Sequence, residues 1–313
     1  MSDKLRLGPA SLSELEKAAG AKAFADEPMS LHTTIRLGGP ADFMVSPAGT
    51  RELAATVKWA HANGVPHLVI GAGSNLLVAD KGIRGLIIRT TGLKAWSVEG
   101  NVLKAEAGVF LPALSAALAD AGMAGFSEAC GIPGSLGGAL HMNAGAYGWN
   151  IAHVTRRVLC AGTDGELFHL DREGMRFGHK SSALTSEGYI ALSMEAELKP
   201  SDSGELRQKA RALLAERAAK QPLDVPNAGC AFKNPQGSGA GRLIDACGLK
   251  GRVLGGAMVS MKHANFIVNA SEARASDVKA LMDEVRQKVY ERFGERLEPE
   301  IRLVGDWDVL RPE

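Results

Sequence analysis

The run "NAGCAFKNP", residues 227–235, sets Cys230 between Gly229 and an apolar pair, with Lys233 and Asn234 just downstream. A thiol so placed can fill a core, ligate a metal or hand on a proton. Metal ligation is the weakest reading, because no histidine or second cysteine stands at ligand spacing. As an acid, a thiol ionises near pH ~8.5, so at neutral pH it is mostly protonated and able to donate. Two other runs carry charges that, by residue type alone, belong on a solvated surface. "FGHKSS", 177–182, offers Lys180 beside His179, and "LEPEIRLVG", 297–305, offers Glu300. A lysine supplies a point charge and a glutamate a carboxylate that can share or orient a proton.

Two glycine-rich loops suit an anion. "GAGSNLL", 71–77, has Gly71 and Gly73 after an apolar strand, but neither a third glycine nor a following helix, so it fails the dinucleotide fingerprint. It also lacks the Gly-Lys-Ser/Thr of a Walker loop. What remains is either a tight turn between strands or a strand-end loop whose N–H groups, with Ser74 and Asn75, converge on a pyrophosphate. "GIPGSLGGALHMNAGAYG", 131–148, holds six glycines together with Ser135 and Asn143, and lets a flat ligand or polyphosphate approach the backbone. A third run, "HTTIRLGGPAD" at 32–42, joins hydroxyls, an arginine and a double glycine.

The elements that must position these groups are ordinary ones. With 313 residues and 45% hydrophobic content the chain can bury a core in two or three domains. A formal charge of +1 provides no field for nucleic acid or an anionic membrane. The first residues lack an apolar leader and no run reaches spanning length, so a cytoplasmic protein is expected. Cys130, Cys160, Cys230 and Cys247 form no C-x-x-C pair, which predicts reduced thiols and no metal site. The spacing predicts a helix from Thr50, as N-cap, to Gly64. Strands are expected at 67–70 and 86–88, and hairpins at Gly100-Asn101 and Asp164-Gly165. After Lys199 a polar linker leads to an amphipathic helix ending before Pro222, and a second helix, 277–293, is expected to start after Ser276 and stop at Gly294. This predicts an α+β protein with a boundary near residue 200.

Taken in order, "HTTIRLGGPAD", "GAGSNLLVAD", "GIPGSLGGALHMNAGAYG", "NAGCAFKNP", "GRLIDACGLKG" with "GGAMVSMKHANFIVN", and "LEPEIRLVG" resemble the flavin-dependent UDP-N-acetylenolpyruvoylglucosamine reductases of peptidoglycan precursor synthesis. The resemblance covers nearly the whole chain. It implies a two-part FAD-binding domain of the vanillyl-alcohol-oxidase (PCMH) type over 1–199 and a smaller α+β substrate domain over 200–313. Without a long insertion before "KQPLDVPNAG", the chain is similar to the shorter subtype that lacks a substrate-capping loop.

The resemblance also implies the chemistry: NADPH reduces FAD, and hydride then passes to C3 of UDP-N-acetylglucosamine enolpyruvate while C2 takes a proton. Cys230 stands where the family has a serine donor, and Glu300 matches the family's catalytic glutamate. Lys180 replaces its catalytic arginine and His179 a tyrosine, whereas Phe177 and Ser182 match. Gly71, Gly73, Ser74, Asn75, Gly134, Ser135, Gly138, Asn143 and Gly145 are the implied flavin ligands. Asn234, Lys233 and Lys220 are the implied substrate ligands, with Arg242 and Lys262 behind them. A small-molecule substrate and a monomer are expected. Two alternatives stay open: a flavin oxidoreductase on another substrate, for which His141 and Cys130 are candidate covalent flavin anchors, and a non-catalytic nucleotide binder.

Overall fold

Apolar runs without alternation mark the first sheet. Pro40–Val45 buries every residue after its proline, and Ile83–Arg89 is nearly as closed, as expected of strands covered on both faces. These two pair in parallel, His67–Ile70 adds a third parallel strand, and Ala23–Pro28 closes the opposite edge antiparallel. Helices Pro9–Ala19 and Thr50–Ala62 contribute Leu15, Leu53 and Val57 to the core beside Phe43, Leu86 and Ile88. The computed structural model describes residues 4–307.

The second sheet is antiparallel, in the order Leu167–Asp171, Thr155–Ala161, Ile190–Glu197, Val102–Glu106, Trp96–Glu99. Leu103, Val158 and Met194 face helices Leu111–Asp120 and Leu136–His141 through Leu114, Leu136 and Leu140. Beyond residue 220, a third, antiparallel sheet runs Asn227–Cys230, Phe266–Asn269, Ala257–Val259, Val253–Leu254. Helix Ala275–Phe293 packs on it with Val278, Leu281 and Val285. The same core takes in Ile35, Leu37 and Leu77 from the N-terminal part of the chain. The final strand, Arg302–Val304, returns to pair in parallel with Leu76–Val78. This returning strand carries Glu300 back to the first glycine loop.

Several local expectations hold. The two-residue turn Gly100-Asn101 joins Glu99 to Val102 with Gly100 at φ +60°, and no helix separates the first glycine loop from Ile83–Arg89. Others shift. Thr50 is the first helical residue rather than the cap, with Gly49 before it, and Asn63 takes the C-terminal cap ahead of Gly64. The late helix begins at Ala275, not after Ser276. Asp80, far away in sequence, accepts hydrogen bonds from the N–H groups of Ala275 and Ser276 at 2.8 and 3.0 Å, a capping role that a local serine was expected to fill. Helix Ser203–Lys220 ends before Pro222 as expected, but it has no apolar stripe: Leu206 is its one buried side chain. It is held across the second lobe by Lys209–Glu128 at 2.6 Å, by Tyr147 Oη donating to the Leu213 carbonyl at 3.1 Å, and by the Cys130 thiol on the Ala210 carbonyl. No described helix is long and apolar enough to cross a membrane.

Candidate active site

Cys230 ends strand Asn227–Cys230 opposite Phe266, after a register irregularity in which Gly229 sits at φ +81°. Left-handed backbone there suits only glycine without strain, and it sets the direction in which the thiol leaves the strand. The next two residues are clamped by Asn265. Its carbonyl accepts from Ala231 N–H at 2.7 Å, its side-chain oxygen accepts from Phe232 N–H at 3.0 Å, and its amide donates to the Phe232 carbonyl at 2.8 Å. Asn265 is 2% exposed, so these bonds are sheltered from water.

Glu300 approaches from the returning segment. Its N–H donates to the Ala231 carbonyl at 2.9 Å, and its own carbonyl accepts from the Asn75 side-chain amide at 3.0 Å. The Glu300 carboxylate meets Lys180 Nζ at 2.6 Å. Lys180 itself lies at φ +55°, in a loop tied down by the Asn143 amide on the Gly178 carbonyl and by Ser182 Oγ on the His141 carbonyl. Cys230, Glu300 and Lys180 therefore converge from three separate segments. Burial first, and the Glu300 charge second, push the Cys230 thiol up to about 11, against the opposing pull of Lys180 and Arg217. The thiol is held protonated.

The two glycine loops touch. A Cβ on Gly71 would come within 2.1 Å of Ser135 Oγ, and one on Gly73, at φ +66°, within 2.0 Å of the His32 carbonyl. Ser74 Oγ donates to the Pro133 carbonyl at 2.8 Å, next to Gly134, while Ser135 Oγ accepts from Gly138 N–H at the start of its helix. Gly145 lies in a small ribbon, where a side chain would strike the Trp149 carbonyl. Asn143 Oδ1 is buried with no partner among the described residues. A glycine-lined cradle, with an orphaned acceptor on one of its two loops, fits a ligand carrying both phosphate and an N–H-bearing ring.

The remaining predicted residues lie at the periphery. Lys233 pairs with Glu298 at 3.1 Å, and Asn234 Oδ1 accepts from Ala240 N–H at a helix start. Lys220 turns to Glu216 on an exposed helix face, and Arg242 and Lys262 are exposed. His141 is half-buried, and partial burial, with the Arg302 charge, lowers its proton affinity; Cys130 bonds to the Ala210 carbonyl. Among the described residues no group of acidic, histidine or cysteine side chains is arranged to hold a metal.

Residues 221–304 match the model of the UDP-N-acetylenolpyruvoylglucosamine reductase C-terminal domain, and residues 41–171 match an FAD binding domain. The reductase of Alkaliphilus oremlandii is 43% identical over 90% of this chain and 93% of its own. That of Carboxydothermus hydrogenoformans is 42% identical over 94% and 97%. The chain belongs to the UDP-N-acetylenolpyruvoylglucosamine reductase family. The crystal structure of the Thermus caldophilus reductase superposes with a TM-score of 0.77 at 35% identity, covering 90% of this chain and 98% of that one. The α+β architecture with an FAD-binding domain is thereby shown.

Within this reductase family framework, one residue that sequence reasoning passed over stands out. Arg217, one turn before Lys220, lays its stem on Gly131, where a Cβ would be 2.7 Å from Arg217 Cδ. Its Nε is buried without a partner among the described residues, and its charge acts on Cys230. Nothing in "LAERAAKQP" distinguishes it from the other basic residues of an exposed helix; only the loop beneath it does.

Proposed function

We propose that this protein reduces UDP-N-acetylglucosamine enolpyruvate to UDP-N-acetylmuramate in peptidoglycan precursor synthesis, with NADPH as the hydride source. The observation that carries this reading is the convergence of Cys230, Glu300 and Lys180, with Lys180 Nζ 2.6 Å from the Glu300 carboxylate. Gly71, Gly73, Ser74, Asn75, Gly134, Ser135, Gly138, Asn143 and Gly145 hold FAD along the paired glycine loops, Asn75 through its backbone N–H, since its amide is taken by the Glu300 carbonyl, and Asn143 through its Oδ1. Bound flavin supplies hydride carriage from NADPH to C3 of the enol ether.

The protein's own part is charge and proton management. Cys230, kept neutral by burial, gives its proton to C2 as negative charge collects there and on the neighbouring carboxylate. The Lys180 ammonium stabilises the charge developing at C2, and the Glu300 carboxyl group orients the donor. Lys233 and Asn234, directly downstream of the donor, and Lys220 at the rim, bind the UDP-sugar. The FAD domain occupies 1–199 and the substrate domain 200–313. The protein acts as a cytoplasmic monomer, and its near-neutral charge supplies no field for nucleic acid or an anionic membrane.

The test is an anaerobic spectrum of the purified holoprotein. NADPH should bleach the flavin band and the enolpyruvyl sugar should restore it. Bleaching without recovery would leave a flavin oxidoreductase for another substrate, and no bleaching a nucleotide binder.

A further inference from the structure

We propose that Arg217, rather than Lys180, anchors the carboxylate of the enolpyruvyl substrate in this protein. The assignment rests on the reductase reading above and concerns the division of labour within that site.

Two cations, Lys180 and Arg217, act on the Cys230 thiol electrostatically. Lys180 is already committed, its ammonium 2.6 Å from the Glu300 carboxylate, and it carries a single point charge. Arg217 has the planar fork that matches a carboxylate, and among the described residues it forms no ion pair. Its charged neighbourhood consists of the Tyr147 phenol and the Cys230 and Cys130 thiols, with no carboxylate among them, and its Nε is buried with no described partner. Burial pulls the guanidinium below its ordinary range, the mark of a cation that has lost water without gaining an anion. A half-buried charge with no anion beside it among the described residues is costly in the free protein and is relieved when a ligand brings the opposite charge.

The position selects which anion. Arg217 acts electrostatically on the Cys230 thiol, and the carbon that this thiol protonates, C2, carries the carboxylate. A cation beside the donor is therefore beside that group. The helix bearing Arg217 is fixed for the task by Tyr147 on the Leu213 carbonyl and by Cys130 on the Ala210 carbonyl. Gly131 leaves room for the stem, since a side chain there would meet Arg217 Cδ at 2.7 Å. Lys220, farther along the helix, is turned away toward Glu216.

The experiment titrates flavin-loaded wild type, Arg217→Met, Arg217→Lys and Lys180→Met with two ligands, following the flavin spectrum. One ligand is the enolpyruvyl sugar nucleotide; the other is UDP-N-acetylglucosamine, which lacks the carboxylate. Arg217→Met should weaken the first by about thirtyfold or more and the second by less than about twofold. Arg217→Lys should show the same selectivity with a smaller loss, and it serves if the methionine variant fails to hold flavin. Equal weakening of both ligands would assign Arg217 to the diphosphate. No weakening, or a selective loss in Lys180→Met instead, would also overturn the assignment. Failure of the parent reading shows separately, as a wild type whose spectrum ignores the enolpyruvyl ligand.

Discussion

Lys180 Nζ and Glu300 Oε1 lie 2.6 Å apart, joining the loop after strand Leu167–Asp171 to the segment that leads into the returning strand. The side chains are 27% and 16% exposed, so water screens the pair only in part. Removing the cation leaves a carboxylate without its partner in the reacting centre. Lys180→Met should therefore slow flavin reoxidation by substrate by roughly thirtyfold, about 2 kcal/mol of barrier after allowing for screening. Flavin reduction by NADPH should change less. Lys180→Arg restores charge and should recover most of the rate in stopped-flow traces. Equal losses in both variants would mean that the geometry of the ammonium matters rather than its charge.

Cys230 gives a pH prediction with a definite sign. Burial and the Glu300 charge disfavour the thiolate, and the thiol is pushed up to about 11. Being a neutral acid, it stays able to donate below that value and loses the ability only as pH rises through it. The reoxidation rate should thus show no loss from this group between about pH 6 and 9, whereas an ordinary thiol near ~8.5 would begin to fail there. Cys230→Ser should keep substantial activity. Cys230→Ala should stall after flavin reduction, by about 10²-fold or more. Full turnover by the alanine variant would remove Cys230 from the proton path.

The glycine cradle can be tested by comparing two glycines of similar backbone. Gly73 and Gly64 lie at φ +66° and +60°, but a Cβ on Gly73 would meet the His32 carbonyl at 2.0 Å while Gly64 faces open space. Gly64→Ala should cost about 1 kcal/mol and keep its flavin. Gly73→Ala adds a backbone collision at the loop where two glycine segments meet, and should purify colourless or with strongly weakened flavin binding. Absorbance at the flavin band and thermal melts decide it; a yellow, stable Gly73→Ala protein would mean the loop can shift without loss.

What the sequence made legible was local or carried by motif. The Gly100-Asn101 turn and the helix from Thr50 follow from a few neighbouring residues, and Cys230, Glu300 and Lys180 follow from their runs. What it hid depends on segments distant in the chain. Asp80 displaces Ser276 as cap because its carboxylate arrives from another lobe, across 195 residues. Arg217 reads as one of many surface charges until Gly131 is seen beneath it. Helix Ser203–Lys220 looked amphipathic, but it is held by carbonyl contacts and ion pairs rather than by an apolar stripe.

Asn75 shows the same effect and supplies a sharper test. The sequence suggests a donor for the flavin phosphates, but the amide donates to the Glu300 carbonyl at 3.0 Å across 225 residues, and the Asn75 carbonyl accepts from Arg302 N–H at the same distance. The Glu300 peptide is thus strung between the Cys230 segment, through Ala231, and the first glycine loop, through Asn75. Asn75→Ala removes one end of that support while leaving the loop's backbone N–H groups in place. It should cost about 1 kcal/mol of stability, retain flavin, and slow reoxidation by substrate more than reduction by NADPH. Denaturant melts, flavin content and the two half-reactions measured separately check this. Loss of flavin with an unchanged reoxidation rate in the remaining holoprotein would instead give the amide to the cofactor and leave Glu300 held by Ala231 alone.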